Sequence, residues 1–254
     1  MTAPVLRIDE LINQLIAFQR SGLRNDLKLR SFHNQAQDAL AQNPGDAHMA
    51  LGIIASLEDR EDEACREHGL ALRCGWNPQR ALNYAVTLQR FFRHDEAIHQ
   101  AQQVMQSDPL DLDAIELAII NAYFAGRFHL ITHLLTEYRK RVPGPWVGHL
   151  VEIERGMQSI QPMIEQSALT DDQIVAMQQP AWALVRTLGE GKKGVTLDDF
   201  VGDDGQVFLS RTFLLPLTFE EAQALDDQLV AQLAEHDDWP VEKFIVTLRE
   251  QEAA

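Results

Sequence analysis

Cysteine is almost absent from this chain. Cys65 and Cys74 are the only two in 254 residues, too few for a disulfide framework. No run of about 18 apolar residues occurs, so the sequence offers no membrane-spanning helix. Asp9 and Glu10 stand where a secretion signal would need apolar residues, so the expected location is the cytoplasm. Basic residues are scarce: 22 Lys and Arg face 38 Asp and Glu, a net charge of −16. That balance argues against nucleic acid and anionic membranes as partners, because both need a basic patch. No P-loop and no Gly-x-Ser-x-Gly elbow is present. What is present is a globular composition, 45% hydrophobic and 24% charged, which excludes intrinsic disorder. The length suggests one or two domains of about 150 residues each.

The acid is unevenly spread. From Asp198 to Ala254 there are 14 acidic residues against three basic ones, a net −11 in 57 residues. Such asymmetry points to two parts with different surfaces.

An internal repeat organises the first part. Glu63-Ala64 and Glu96-Ala97 lie 33 residues apart in matching frames. One frame runs Arg60-Glu61-Asp62-Glu63-Ala64-Cys65, and the other Arg93-His94-Asp95-Glu96-Ala97-Ile98. A third frame follows as Ala125-Gly126-Arg127-Phe128, then Ile131, Leu135 and Tyr138. Pro44, Pro78, Pro109 and Pro143 punctuate the units, where proline stops one helix and permits the next. These residues resemble the tetratricopeptide repeat family over about residues 25–143. Leu51-Gly52, Ala64 and Ala71 fit one unit, Ala97, Ala101 and Pro109 the next, and Gly126, Phe128 and Pro143 another. Small residues at those places let paired helices cross closely. The family's aromatic on the first helix is mostly missing, and Ile131 replaces an expected alanine.

Residues 8–43 read as a degenerate first repeat or cap, and helices are expected at about 146–159 and 171–188. Gly189 to Gly194 reads as a linker rather than a dinucleotide fingerprint, because it follows a helix and opens none. After it the period changes to two. Val195, Leu197 and 206–214 read as strands around the turn Gly202-Asp203-Asp204-Gly205, Thr218-x-x-Glu221 opens a helix ending at Trp239-Pro240, and 244–248 reads as a last strand. The expected fold class is therefore mainly α. A tetratricopeptide-like solenoid of antiparallel helix pairs (1–188) would be joined by linker 189–194 to a small acidic β-β-α-β module (195–254).

Few constellations suggest chemistry. His129, His133 and Glu137 share a helix face at metal-ligand spacing, but without His-Glu-x-x-His they read as solvated. Cys65 and Cys74 read as packed core thiols. Asp198, Asp199, Asp203 and Asp204 do not follow a calcium-loop order. No cofactor and no metal are implied.

The resemblance implies a groove lined by the first helix of each unit. Its candidate partner-binding residues are Met49, Ile53 and Ser56, then Asn83, Val86 and Arg90, then Glu116, Ile120 and Tyr123. Several of these suit inter-repeat core as well as a groove. The expected function is non-enzymatic protein interaction, as scaffold, adaptor or chaperone, with a peptide or helix of another protein, possibly basic, in that groove. Two alternatives stand beside it. One is an acidic, antitoxin-like or immunity-like inhibitor masking a basic surface. The other is an enzyme with a divalent-metal carboxylate site in the C-terminal module.

Overall fold

In the computed structural model, residues 8–21, 25–143, 149–188, 195–203 and 207–251 are described. The expected linker at 189–194, with Gly144, Pro145 and Asp204, lies outside them. No helix in the described residues is long and apolar enough to cross a membrane. The fold class is the expected one: mainly α, in helix pairs, followed by a small α+β module.

The helices begin where the sequence supplies caps. Asn43 and Asn77 each accept a backbone N–H from the turn they open, and Pro44 and Pro78 sit in that first turn, where a missing N–H costs nothing. These caps start α3 (Pro44–Leu57) and α5 (Pro78–Arg90). Upstream lie α1 (Ile8–Arg20) and α2 (Asp26–Ala39). The partners of α3 and α5 are α4 (Glu61–Arg73) and α6 (His94–Ser107), and a further pair is α7 (Leu112–Ala125) with α8 (Phe128–Arg141).

One turn recurs between paired helices. Asp59, Phe92 and Gly126 occupy equivalent places and all have positive φ, at 55°, 55° and 75°. The arginine after each donates its N–H back to Ala55, Leu88 and Ala122 respectively, every time at 2.9 Å. This is a Schellman closure, in which a left-handed residue ends one helix. The same arginines, Arg60, Arg93 and Arg127, are the N-caps of α4, α6 and α8. Matching backbone geometry at matching sequence positions establishes the repeat independently of side-chain identity. Ala64, Ala71, Ala97 and Ala101 are each fully buried, as close helix crossing requires.

The described chain divides into two compact units, Met1–Leu117 and Ala118–Ala254. The boundary falls inside α7, whereas composition points to 189–194. Packing accounts for the difference: the strands of the second unit lie against helices that composition assigns to the repeats.

The first unit is built on a cluster from α1, α2 and α3: Leu11, Leu15, Phe18, Leu29, Phe32, Met49, Ile53 and Ile54 among others. Smaller clusters follow along the array, Ala55, Ala64 and Phe91, then Ala85, Leu88 and Ala97.

The second unit contains the end of α7, α8, α9 (His149–Ser167), α10 (Asp171–Arg186), β1 (Thr196–Asp203), β2 (Val207–Leu215), α11 (Phe219–Leu233) and β3 (Phe244–Glu250). Capping boxes at Thr170/Gln173 and Thr218/Glu221 start α10 and α11. Pro162 and Pro180 lie inside their helices. The last helix stops at Leu233, short of the expected Trp239. The sheet has order β1-β2-β3, with β1 antiparallel and β3 parallel to β2. Residues Leu209, Arg211, Phe213 and Leu215 of β2 and Phe244, Val246 and Leu248 of β3 are buried, so one face of the sheet meets the helices.

Candidate functional site

The first-helix face of the first unit is tied together at a constant offset. Arg80 donates to Asp46 at 2.9 Å, Asn83 lies 3.5 Å from the Met49 sulfur, and Arg90 Nε donates to the Ser56 carbonyl at 2.9 Å. Each pair is separated by 34 residues. Every tie thus links one residue of α3 to its equivalent on α5. Arg80 also donates to the Gly75 carbonyl, and Arg90 to Asp59 at 3.1 Å.

This arrangement sorts the candidate residues. Met49, Ile53 and Ser56 are 1–2% exposed and sit in the core, so they offer no surface to a partner. The physical reason is that α1 takes the place of a preceding first helix and, with α5, covers α3 on both sides. Asn83 is half-buried and donates to the Gln79 carbonyl. Val86 is 37% exposed, and the Arg90 side chain 39%. Glu116 and Ile120 are half-buried on α7. Asn83, Val86 and Arg90 share one helical face at i, i+3 and i+7.

Tyr123 has a different environment. Its carbonyl accepts from Arg211 at 2.9 Å, its ring lies 5.0 Å from the Arg211 guanidinium, and its hydroxyl bonds to Asp199. Burial, with the nearby Asp199 charge, pushes the phenol well above its ordinary range. Tyr123 is therefore half-buried and engaged by Arg211 and Asp199 within the second unit.

Arg211 is the centre of that unit's interior. It is 0% exposed and makes a two-pronged pair with Asp199, at 2.7 and 2.8 Å. Gln178 accepts a further bond at 3.2 Å, and the Phe128 ring lies 4.7 Å away. Burial alone would lower the guanidinium, but the Asp199 charge and hydrogen bonds outweigh it and leave Arg211 raised. Trp182 and Phe213 pack edge to face beside it, at 4.7 Å between ring centres.

Arg80, Asp199 and Arg211 in these roles escape the sequence reading, although the signals are present. Asp46 and Arg80 carry opposite charges at the repeat spacing. Arg211 falls in the odd phase of β2 with Leu209 and Phe213, so period two already puts it on the core face.

Of the four candidate carboxylates of the C-terminal module, Asp198 and Asp199 have described side chains. Both Asp199 oxygens are held by Arg211, and Asp198 is exposed. Among the described residues no group of three His, Cys, Asp or Glu could hold an ion. His129 instead pairs with Asp171 at 2.9 Å, while that carboxylate also accepts the backbone N–H groups of His129 and Leu130. Asp171, the first residue of α10, thereby caps the N-terminus of α8.

The thiols differ from the expectation. Cys74 is exposed at the end of α4, because the helix stops there. Cys65 is half-buried with an Arg93 N–H donor 3.2 Å from its sulfur, and burial pushes the thiol up, away from a reactive thiolate.

A cleft of ≈ 390 Å³ lies between α8 and α9, with Leu135 and Met157 on its floor and an Arg139–Glu154 pair along it. The hydroxyls of Thr132 and Thr136 that line it are bonded to their own helix backbone.

No family model matches the chain, and no curated protein matches it. Four solved chains match. Among them is a mutant of MamA, 16% identical with a TM-score of 0.39, covering 56% of this chain and 81% of that chain. At that score the fold rests on this chain's own geometry.

Proposed function

We propose that the chain is a non-enzymatic, tetratricopeptide-like protein that binds another protein through the first-helix face of its first unit. The observation carrying this reading is the stripe of half-buried Asn83 with exposed Val86 and Arg90 on α5, its Asn83 and Arg90 held by ties to the preceding repeat. A stripe fixed in this way loses little side-chain freedom on binding, which favours affinity. Val86 supplies an apolar contact, and the open face of Arg90 supplies donors for a partner carbonyl or carboxylate. This suits an apolar helix or peptide carrying a polar anchor.

Affinity capture from cell extract with the full chain, at low and high salt, tests it, using Val86→Lys and Arg90→Ala as controls. A partner held by this face should bind at least tenfold more weakly to either variant, about 1.4 kcal/mol. Val86→Lys should leave the melting temperature nearly unchanged. A partner that binds both variants as tightly as the parent chain would move the site elsewhere.

A further inference from the structure

The two edges of the sheet are treated differently. On β2, the Leu209 N–H donates to the Lys243 carbonyl, and the Leu215 carbonyl accepts from Gln251. Odd-numbered residues of β2 therefore direct their backbone groups toward β3. Even-numbered residues direct theirs toward β1, where Thr196, Asp198, Phe200 and Gly202 stand opposite Leu214, Thr212, Ser210 and Phe208. In an antiparallel pair such opposed residues exchange both bonds. It follows that the N–H and C=O groups of Leu197, Asp199, Val201 and Asp203 point away from the sheet.

The same logic sends the even residues of β3 outward, and there the protein covers two of their N–H groups. The Leu248 N–H donates to the Asp226 carboxylate of α11 at 2.7 Å, and the Phe244 N–H to the Pro240 carbonyl. For the outward groups of β1, no protein partner occurs among the described residues. The β3 edge is closed in part by the chain's own groups, whereas among the described residues nothing closes the edge of the eight-residue β1.

We propose that the free edge of β1 receives an extended basic peptide as a fourth strand. Backbone pairing would supply the register, with outward groups spaced about 7 Å apart on alternate residues. Charge supplies the choice of occupant. The strand contains no basic residue, Asp198 is exposed on it while Asp199 is already paired with Arg211, and the region from Asp198 onward is net −11. A second copy would set one net-negative module, −11 from Asp198 onward, beside another, so like charge opposes self-pairing. A peptide alternating Lys or Arg with β-branched residues meets both demands.

The probe is an eight-residue peptide alternating lysine and valine, fluorescently labelled, titrated against the full chain and read by anisotropy. Two controls separate strand addition from plain charge attraction. The first is the same peptide N-methylated at alternate residues, which keeps its charge and loses the donors for one edge. The second is Val201→Pro, which removes an outward N–H while leaving the β1–β2 bonds intact. The expected result is binding at low salt that weakens at least tenfold with either control. Hydrogen exchange at Leu197 and Val201 should slow on binding. Equal affinity for the methylated peptide, binding lost in moderate salt with no change in exchange, no binding at all, or a dimer formed through β1 would each overturn the proposal. If Val201→Pro fails to fold, the methylated peptide and the exchange data still decide it.

Discussion

At the residue scale, the two most consequential side chains are polar groups in the interior. His68 is fully buried, stacked on Tyr84 at 5.2 Å, bonded to Thr87 at 2.9 Å, and pressed against Gly52, where no Cβ would fit. Burial lowers its pKa from 6.5 to about 3. A histidine depressed in the fold stays neutral there while the unfolded chain takes up a proton. Its contribution is therefore fully present above pH 6.5 and is lost as the pH falls toward about 3. Denaturant titrations at pH 6.5 and 4.5 should differ by about 2–3 kcal/mol from this group, and His68→Gln should flatten that part of the slope. Arg211 gives a second prediction. Arg211→Met strands a buried Asp199 carboxylate and should cost about 3–5 kcal/mol in urea unfolding, whereas adding Asp199→Leu should recover much of it. Tyr123→Ala belongs with these: its loss should register in stability, since the ring and hydroxyl serve Arg211 and Asp199.

At the element scale, the left-handed turn is the unit of repetition. Gly126 is the position where glycine is required, because φ is +75° and an added Cβ would lie 2.8 Å from Gln178 and Ile174. Gly126→Ala should cost about 2 kcal/mol or more, read as a lower melting temperature, through the left-handed penalty of about 1–2 kcal/mol plus that clash. Asp59 and Phe92 hold the same conformation without being glycine, which is why the turn is hard to read from residue type alone. Other elements are legible in the sequence. The Pro-capped helix starts, the two capping boxes and the change to period two place nearly every helix and strand, because each rests on a local rule. The groove is not legible, because a first helix that is apolar all round, such as α3, looks the same whether a partner or α1 covers it. Arg90 shows the same ambiguity: its repeat position suggests recognition, and its bonds to Ser56 and Asp59 serve packing as well.

At the scale of the whole molecule, a net charge of −16 makes self-repulsion a general term. Raising NaCl from about 20 to about 200 mM shortens the screening length to below about 10 Å, so the melting temperature should rise over that range. A flat response would mean that the surface ion pairs lose as much as the repulsion gains. Chain order adds a consequence of Asp171 and Arg211. On the ribosome, the start of α8 waits for residue 171 to emerge before its N–H groups are capped, and the Tyr123 carbonyl waits for residue 211. The ties of the first unit span only 34 residues, so that unit can settle while the rest is still being translated. A nascent chain halted before Arg211 would hold Asp199 unpaired and leave Trp182 without Phe213, which makes the interval just before residues 211 to 213 emerge the one in which this protein most needs protection from its neighbours.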